Sequence, residues 1–151
     1  MPELRRILLV EDDPNDVERI MTGLAENKLA NEVVAVHDGS EALDYLQCRG
    51  KFAGRTDGHP AVVLLDLKLP KVSGLEVLRQ MKSDEKLRCT PVVILTSSRE
   101  DQDILDGYAL GANSYVVKPV DFHQFIDAIK LIGAYWAIVS EPLPGDRCKT
   151  K

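Results

Sequence analysis

The sequence predicts an α/β protein with a parallel sheet, on two observations. Five short runs rich in β-branched residues recur along the chain, and most are continuously apolar, which indicates strands buried on both faces. Segments with helical spacing of apolar residues separate the runs, and repeated strand–helix units are typical of α/β folds. The runs are ILLV (7–10), VVAV (33–36), VVLLDL (62–67), VVIL (92–95) and SYVV (114–117).

The segments between the runs carry apolar residues three and four positions apart, and such stripes normally face a core. The last stripe is long and extends toward Ser140, and Asp121 with Gln124 reads as the capping box that starts its helix. The stripes are Val17, Ile20, Met21 and Leu24; Ala42, Leu43 and Leu46; Leu75, Leu78 and Met81; Ile104, Leu105 and Tyr108; and Phe122, Phe125, Ile126, Ile129 and Ile132.

The length of 151 residues suits one domain, which we place at residues 1–140. Residues 141–151 form a polar segment rich in Pro and Gly, expected to be a flexible tail without an output domain. Residues 47–60 form a Gly- and charge-rich loop, longer than usual between a helix and a strand. No internal repeat or second domain is expected.

Composition argues against several classes of protein. A net charge of −5 disfavours a nucleic-acid binder, which needs basic patches. No apolar run reaches the roughly 18 residues that span a membrane, and MPELRR does not resemble a signal peptide, so we expect a cytoplasmic protein. The cysteines Cys48, Cys89 and Cys148 are odd in number and widely spaced, which predicts free thiols and no zinc site.

Polar side chains follow four of the five predicted strands. Glu11, Asp12 and Asp13 follow the first strand, Asp66 ends the third, Thr96 the fourth, and Lys118 the fifth. Ligands of open parallel sheets bind at the carboxyl ends of strands. These residues therefore predict a site with several carboxylates, one hydroxyl and one ammonium.

Carboxylates alone would raise one another's pKa, and a hard divalent cation removes this problem. Mg²⁺ is the natural choice, because it binds one or two carboxylates together with waters and a phosphoryl oxygen. Asp66 is then a plausible nucleophile that forms an aspartyl phosphate. Mg²⁺, the Lys118 ammonium and the Thr96 hydroxyl would supply positioning and charge neutralisation.

At these residues the chain resembles the receiver domain of two-component response regulators, over about residues 5 to 135. Each shared motif is weak alone, but together and in order they are highly specific. The motifs are VEDD (10–13), LLDLKLP (64–70) followed by SG (73–74), ILTSS (94–98), GA (111–112) and YVVKP (115–119). The resemblance implies a flavodoxin-like (βα)5 sandwich with strand order 2-1-3-4-5, whose role is that of a phosphoacceptor switch and not of an enzyme.

The resemblance also implies the metal site. Asp66 accepts a phosphoryl group from a histidine kinase, Asp13 ligates Mg²⁺ directly, and Asp12 acts mainly through water. The backbone carbonyl of Lys68 is a further ligand, and Glu11 is expected to point elsewhere.

Four further residues complete the implied mechanism. Lys118 pairs with the phosphoryl oxygens and precedes Pro119 through a cis bond. Thr96 and Tyr115 swing toward the site on phosphorylation, and Ser97 contacts the phosphoryl group.

A narrower resemblance links the chain to the single-domain regulators of bacterial phytochrome kinases. It rests on the loop at 47–60, the extended last helix ending near AYWAIV (134–139) and the Pro-containing tail. That helix is expected to overhang the sheet, so exposed Tyr135 or Trp136 predicts a homodimer through it.

Other interpretations stay open. Asp12 or Asp13 could cap a helix that begins at Pro14, and Asp66 could cap a turn. A phosphatase of the haloacid dehalogenase type needs an acid two residues after the nucleophile, where this chain has Lys68. A flavodoxin-like FMN carrier lacks its phosphate loop here. A phosphorelay intermediate and a degenerate receiver that acts by binding alone are the remaining alternatives.

Overall fold

The computed structural model describes residues 6–29, 32–56, 58–119 and 121–139, and its centre is one five-stranded parallel sheet. The strand order is β2-β1-β3-β4-β5, which confirms the predicted fold class. The strands are β1 (Ile7–Val10), β2 (Val33–Val36), β3 (Val62–Leu65), β4 (Val92–Thr96) and β5 (Ser114–Val117). The helices are α1 (Pro14–Ala25), α2 (Gly39–Leu46), α3 (Gly74–Ser83), α4 (Asp101–Ala109) and α5 (Phe122–Ala134).

Helices cover both faces of the sheet and produce two separate cores. Strand side chains alternate between faces, so Ile7 and Leu9 of β1 lie in one core while Leu8 and Val10 lie in the other. Helices α1 and α5 complete the first core, which we call the α1–α5 side. Helices α2 and α3 complete the second, and α4 packs on β5 at the same side, here called the α4 side.

Short polar side chains start four of the five helices. Each N-cap side chain accepts a hydrogen bond from a backbone N–H of the first turn, which satisfies a donor that the helix leaves open. The caps are Asp13 of α1, Asp38 of α2, Ser73 of α3 and Asp121 of α5. The cap at Asp121, which accepts from the N–H of Gln124 at 3.0 Å, confirms the predicted start of the last helix.

Helix α4 departs from the expected pattern, because most of its apolar stripe faces outward. Leu105 is 63% exposed and Tyr108 is 50% exposed, and Gly107 is the buried residue of this helix. A Cβ atom at Gly107 would lie 2.7 Å from Cδ1 of Ile94, so α4 approaches the sheet through its glycine. Tyr108 instead accepts a hydrogen bond from the N–H of Tyr115 at 3.1 Å, at the edge strand β5.

The last helix extends through the AYWAIV segment as predicted, and only the type of its final turn differs. Helix α5 ends at Ala134 and continues as a π-helical turn, Tyr135–Val139. Ser140 and the predicted tail at 141–151 lie outside the described residues. In the part of the chain that is described, no helix combines the length and the apolar character needed to cross a bilayer.

The loop at 47–60 is built around aromatic and cationic contacts. It contains a short 3₁₀ helix, Gly50–Phe52, whose Phe52 ring packs edge-on against Tyr45 with centroids 5.0 Å apart. The guanidinium of Arg55 lies 4.0 Å from the centroid of the same Tyr45 ring. Through Phe52 and Tyr45, these contacts tie the loop to the core on the α4 side.

The expectation of free thiols holds for Cys48 and is wrong for Cys89, which is disulfide-bonded. Cys148 lies outside the described residues. Sequence spacing could not reveal this bond, since a disulfide requires proximity in the fold and not in the chain.

Gly74 permits the chain to turn closely behind the end of β3. A Cβ atom there would lie 2.1 Å from the backbone oxygen of Asp66. We expect Gly74→Ala to lower the free energy of unfolding by about 3 kcal/mol, the upper part of the usual cost of overpacking. Urea denaturation followed by circular dichroism measures the change.

Gly54→Ala is the matched control, because nothing lies within 4 Å of its added Cβ. Its effect should stay within about 0.5 kcal/mol, as for an ordinary surface substitution. Equal stabilities of the two variants would contradict the close approach at Gly74.

Candidate functional site

Asp66 lies directly after β3, at the carboxyl edge of the sheet, and is buried. Its Oδ1 accepts a hydrogen bond from the N–H of Leu67 at 2.8 Å. Its Oδ2 lies 3.5 Å from Nζ of Lys118. The carboxylate is thus fixed through one oxygen while the other faces an ammonium group.

Lys118 extends from the end of β5 across the sheet edge to the residues that follow β1. Its Nζ lies 2.6 Å from Oε1 of Glu11 and 2.7 Å from Oδ2 of Asp16, in the first turn of α1. Contrary to expectation, Glu11 points inward and is only 1% exposed. Its Oε2 accepts from the N–H of Asp13 at 3.2 Å, which fixes this carboxylate at both oxygens.

Strand alternation explains why these side chains meet. Leu9 of β1, Leu64 of β3 and Val116 of β5 all face the α1–α5 side. Two positions further along each strand direction come Glu11, Asp66 and Lys118, which keep the same side. The same reasoning was available in the sequence, and it would have selected Glu11 from the three adjacent acids.

The charges of this group strongly perturb one another. Burial raises the pKa of Glu11 to about 7, with a contribution from the negative charge of Asp66, although the hydrogen bond and charge of Lys118 oppose this. Burial alone would lower the pKa of Lys118, but its hydrogen bonds to Asp16 and Glu11 outweigh burial and raise it. The site is therefore short of positive charge, with one ammonium among several carboxylates.

Glu11, Asp12 and Asp66 form a group that could hold a metal ion. Each contributes one carboxylate oxygen, and these oxygens lie within 4.8 Å of one another. Oxygen donors, the exposure of Asp12 to solvent and the excess of negative charge suit a hard divalent cation.

Asp13 does not belong to this group. Its Oδ1 accepts a hydrogen bond from the N–H of Asn15 at 2.9 Å and caps α1, so the capping alternative describes its position. Asp13 caps the helix instead of joining the acidic group because of its position in the chain. It is two residues beyond the inward-facing Glu11, where the backbone already enters α1. Lys68 is exposed after β3, and the role of its carbonyl as a ligand stays a prediction.

Thr96 and Tyr115 lie on the α4 side. Thr96 is buried at the end of β4, and its Oγ1 is 3.5 Å from the N–H of Ser98. The hydroxyl of Tyr115 donates to the backbone oxygen of Ser98 at 3.1 Å, and Ser98 in turn donates to Asp103 of α4 at 2.7 Å. Ser97 is exposed. This connected group joins the end of β4, the start of α4 and β5.

Burial raises the pKa of the Tyr115 hydroxyl, and the charges of Asp103, Glu100 and Asp66 add to the effect. Tyr115 therefore remains a neutral hydrogen-bond donor at physiological pH. No cis peptide bond occurs in the described residues, so the expected cis bond between Lys118 and Pro119 is wrong. A trans bond is the lower-energy form before proline by about 0.5–1 kcal/mol.

The fold and this acidic, lysine-containing edge are those of a receiver domain. The family model of the response regulator receiver domain matches residues 7–130. The chain belongs to this family, whose members act in two-component signalling.

Two curated relatives share most of the chain. The probable methanogenesis regulatory protein FilR2 of Methanothrix harundinacea is 42% identical over 130 residues, covering 86% of this chain and 82% of the relative. Response regulator Rcp1 of Synechocystis is 33% identical over 130 residues, which cover 86% of this chain and 87% of Rcp1.

Solved structures agree. The phosphorylated cyanobacterial phytochrome response regulator RcpA has a TM-score of 0.86 and 38% identity, covering 92% of this chain and 98% of its own. The bacteriophytochrome response regulator AtBRR has a TM-score of 0.73 and 58% identity, covering 93% and 100%. Rcp1 has been solved in a Mn²⁺-bound form, with a TM-score of 0.83 and 31% identity, covering 91% and 97%.

The metal ligands can be tested by paired substitutions. We expect Asp12→Asn to weaken Mg²⁺ binding by about 10-fold or more. Loss of a residue that only hydrogen-bonds to a metal ligand already costs about this much affinity. The Asp12 carboxylate belongs to the group that could hold the ion, and its charge would be lost. Isothermal titration calorimetry with Mg²⁺ gives the affinity.

Asp13→Asn is the control, because asparagine caps a helix as well as aspartate does while removing the same charge. Its Mg²⁺ affinity should stay close to that of the unmodified chain. A loss as large as that of Asp12→Asn would restore Asp13 as a direct ligand.

Proposed function

We propose that this protein is a single-domain response regulator that accepts a phosphoryl group from a histidine kinase on Asp66. One observation carries the proposal: Asp66 is buried at the sheet edge, with one oxygen held by Leu67 and the other facing the Lys118 ammonium. Such a carboxylate is positioned as a nucleophile and has a cation beside the charge that it would acquire.

In the proposed reaction, a carboxylate oxygen of Asp66 attacks the phosphorus of a phosphohistidine. The phosphorus–nitrogen bond breaks, and the imidazole leaves with the electron pair and takes up a proton. Lys118 is placed to balance negative charge on the phosphoryl oxygens. The protein would act as a switch with at most self-catalysed phosphorylation and dephosphorylation, not as an enzyme with turnover.

Glu11, Asp12 and Asp66 would hold Mg²⁺, which would neutralise charge on the phosphoryl oxygens and orient them. Their oxygen ligands and negative excess support the assignment. The Mn²⁺-bound form of Rcp1 supports a divalent ion in this family. The assignment replaces Asp13 with Glu11 as the partner of Asp12.

Phosphorylation would then act on the α4 side. It would replace the single negative charge of the Asp66 carboxylate with a phosphoryl group that carries nearly two, together with strong acceptor oxygens, to which the buried Thr96 hydroxyl and Ser97 would respond. A shift of Thr96 would disturb the Ser98 segment that accepts from Tyr115 and bonds Asp103. The output would be changed protein contacts at α4 and β5.

The partner kinase is proposed to be a bacterial phytochrome in the cytoplasm. RcpA and AtBRR, two similar structures that cover nearly the whole chain, are described as phytochrome response regulators. The loop at 47–60, in which Arg55 and Phe52 contact Tyr45, is one of the three sequence features that suggested the same group, beside the extended last helix and the Pro-containing tail.

Intact mass tests the central reaction. After incubation with acetyl phosphate and Mg²⁺, we expect the gain of one phosphoryl group, because the small donor replaces the phosphohistidine. Asp66→Asn and addition of a chelator should each abolish the gain. Absence of any gain in the unmodified chain would favour a degenerate receiver that acts by binding alone.

Thr96→Ala separates acceptance from switching in the same assay. The variant should still gain the phosphoryl group, but the phosphorylation-dependent change in hydrogen exchange at α4 and β5 should be lost. An unchanged exchange response would contradict the role of Thr96.

We also propose a homodimer through the last helix. Leu131 is 74% exposed and Tyr135 is 51% exposed, and residues four apart share one side of a helix. Sedimentation velocity should show a concentration-dependent dimer that Leu131→Glu shifts toward monomer by at least about tenfold in Kd, since burying a charge is costly.

Leu105→Glu, an equally polar change on the exposed side of α4, should leave this association unchanged. Monomer at every concentration, with or without phosphorylation, would contradict the dimer. Loss of association only in Leu105→Glu would move the interface to α4.

A further inference from the structure

Asp16 is a third carboxylate on the Lys118 ammonium, and no sequence motif pointed to it. Its Oδ2 lies 2.7 Å from Nζ of Lys118, whereas Oδ2 of Asp66 lies 3.5 Å away. The Lys118 side chain is largely buried, with 8% of its surface exposed. The ammonium is therefore held closer to α1 than to the proposed phosphoacceptor.

The two close partners of Lys118 differ in how firmly they are fixed. Glu11 is held at both oxygens, since its Oε2 also accepts from the N–H of Asp13. Asp16 has a second cation within reach, because its Oδ1 lies 3.8 Å from a guanidinium nitrogen of Arg19. If Lys118 moves away from Asp16, the Asp16 carboxylate still has Arg19 as a cation nearby. In a buried ion pair with a single partner, the same movement would leave the carboxylate unpaired.

An ammonium has three N–H donors, and two of them are directed at Glu11 and Asp16. A phosphoryl group on Asp66 would need this same ammonium, and its negative charge would be repelled by Asp16. Competition for the ammonium and repulsion between the charges both disfavour the phosphorylated state, and both come from the Asp16 carboxylate.

We propose that Asp16 is a positioning residue that competes with the phosphoryl group for Lys118. It holds the ammonium beside α1 and away from Asp66 before phosphorylation, slows the phosphorylation of Asp66 and shortens the lifetime of the aspartyl phosphate. The proposal rests on the proposed function and adds a control of its rate. Asp16 turns toward Arg19 when Lys118 moves to the phosphoryl oxygens.

The test compares Asp16→Asn with the unmodified chain in acetyl phosphate and Mg²⁺, by intact mass over time. Asp16→Asn should gain the phosphoryl group faster, and it should lose it more slowly after the donor is removed. The two rate changes together should amount to a factor on the order of ten, which corresponds to one hydrogen bond to a charged group. A merely structural role would lower both the thermal midpoint and the phosphorylation rate, so acceleration separates the two roles.

Glu18→Gln is the matched control, since it removes one negative charge from an exposed position of the same helix. It should behave like the unmodified chain. The effect of Asp16→Asn should also persist at high salt, because a buried contact is screened far less than exposed charges. Asp16→Glu should restore the slower rate in part, by returning the carboxylate.

Phosphorylation of the unmodified chain at a rate equal to or above that of Asp16→Asn would overturn this proposal and leave the proposed function intact. An equal acceleration in Glu18→Gln would also overturn it, since general charge repulsion would then suffice. No mass gain in any variant would overturn both.

Discussion

The candidate site depends on one buried cation, the Lys118 ammonium, and on the carboxylates placed around it. Glu11 and Asp16 lie within hydrogen-bond distance, and Asp66 lies slightly farther away. Removing one partner of a buried ion pair typically costs about 3–5 kcal/mol, because the other charge remains unpaired. Lys118 therefore connects the end of β5 to the end of β1 and to α1, and it fixes the sheet edge on which Asp66 lies.

The sheet separates this charged group from the residues that would report on it. Glu11, Asp66 and Lys118 continue the strand positions that face the α1–α5 side. Ile94 and Tyr115 face the α4 side, and Thr96, two residues after Ile94, continues that direction. The negative charge of Asp66 already acts on Tyr115, and a change of that charge would reach α4 through the segment after β4, where Ser98 bonds both Tyr115 and Asp103.

The exposed surface of α4 follows from the same arrangement. The helix approaches the sheet through Gly107, so Leu105 faces solvent. The Tyr108 hydroxyl accepts a hydrogen bond from the N–H of Tyr115 on the edge strand. Few apolar contacts hold such a helix, and elements of this kind are among the first to rearrange. The small number of apolar contacts made its apolar stripe a poor guide to the core, and it suits the movement of α4 that we propose for phosphorylation.

The sequence by itself determined the class of fold and the edge that carries the site. Continuous β-branched runs can be satisfied only between two layers of helices, and parallel strands bring their carboxyl ends to one edge, so Asp66, Thr96 and Lys118 had to lie near each other.

The tertiary structure alone decided which neighbours these residues have. Three consecutive acids follow β1; strand alternation favours Glu11 as the one turned inward, but only the packed sheet shows Asp12 beside it and Asp13 capping α1. Asp16 joins Lys118 because of the rotation of α1 on the sheet, which is set by the packing of Ile20 and Leu24 and not by any local motif. The physical reason is that residue types and strand ends are local properties, whereas the direction of a side chain beyond a strand end depends on the elements packed around it.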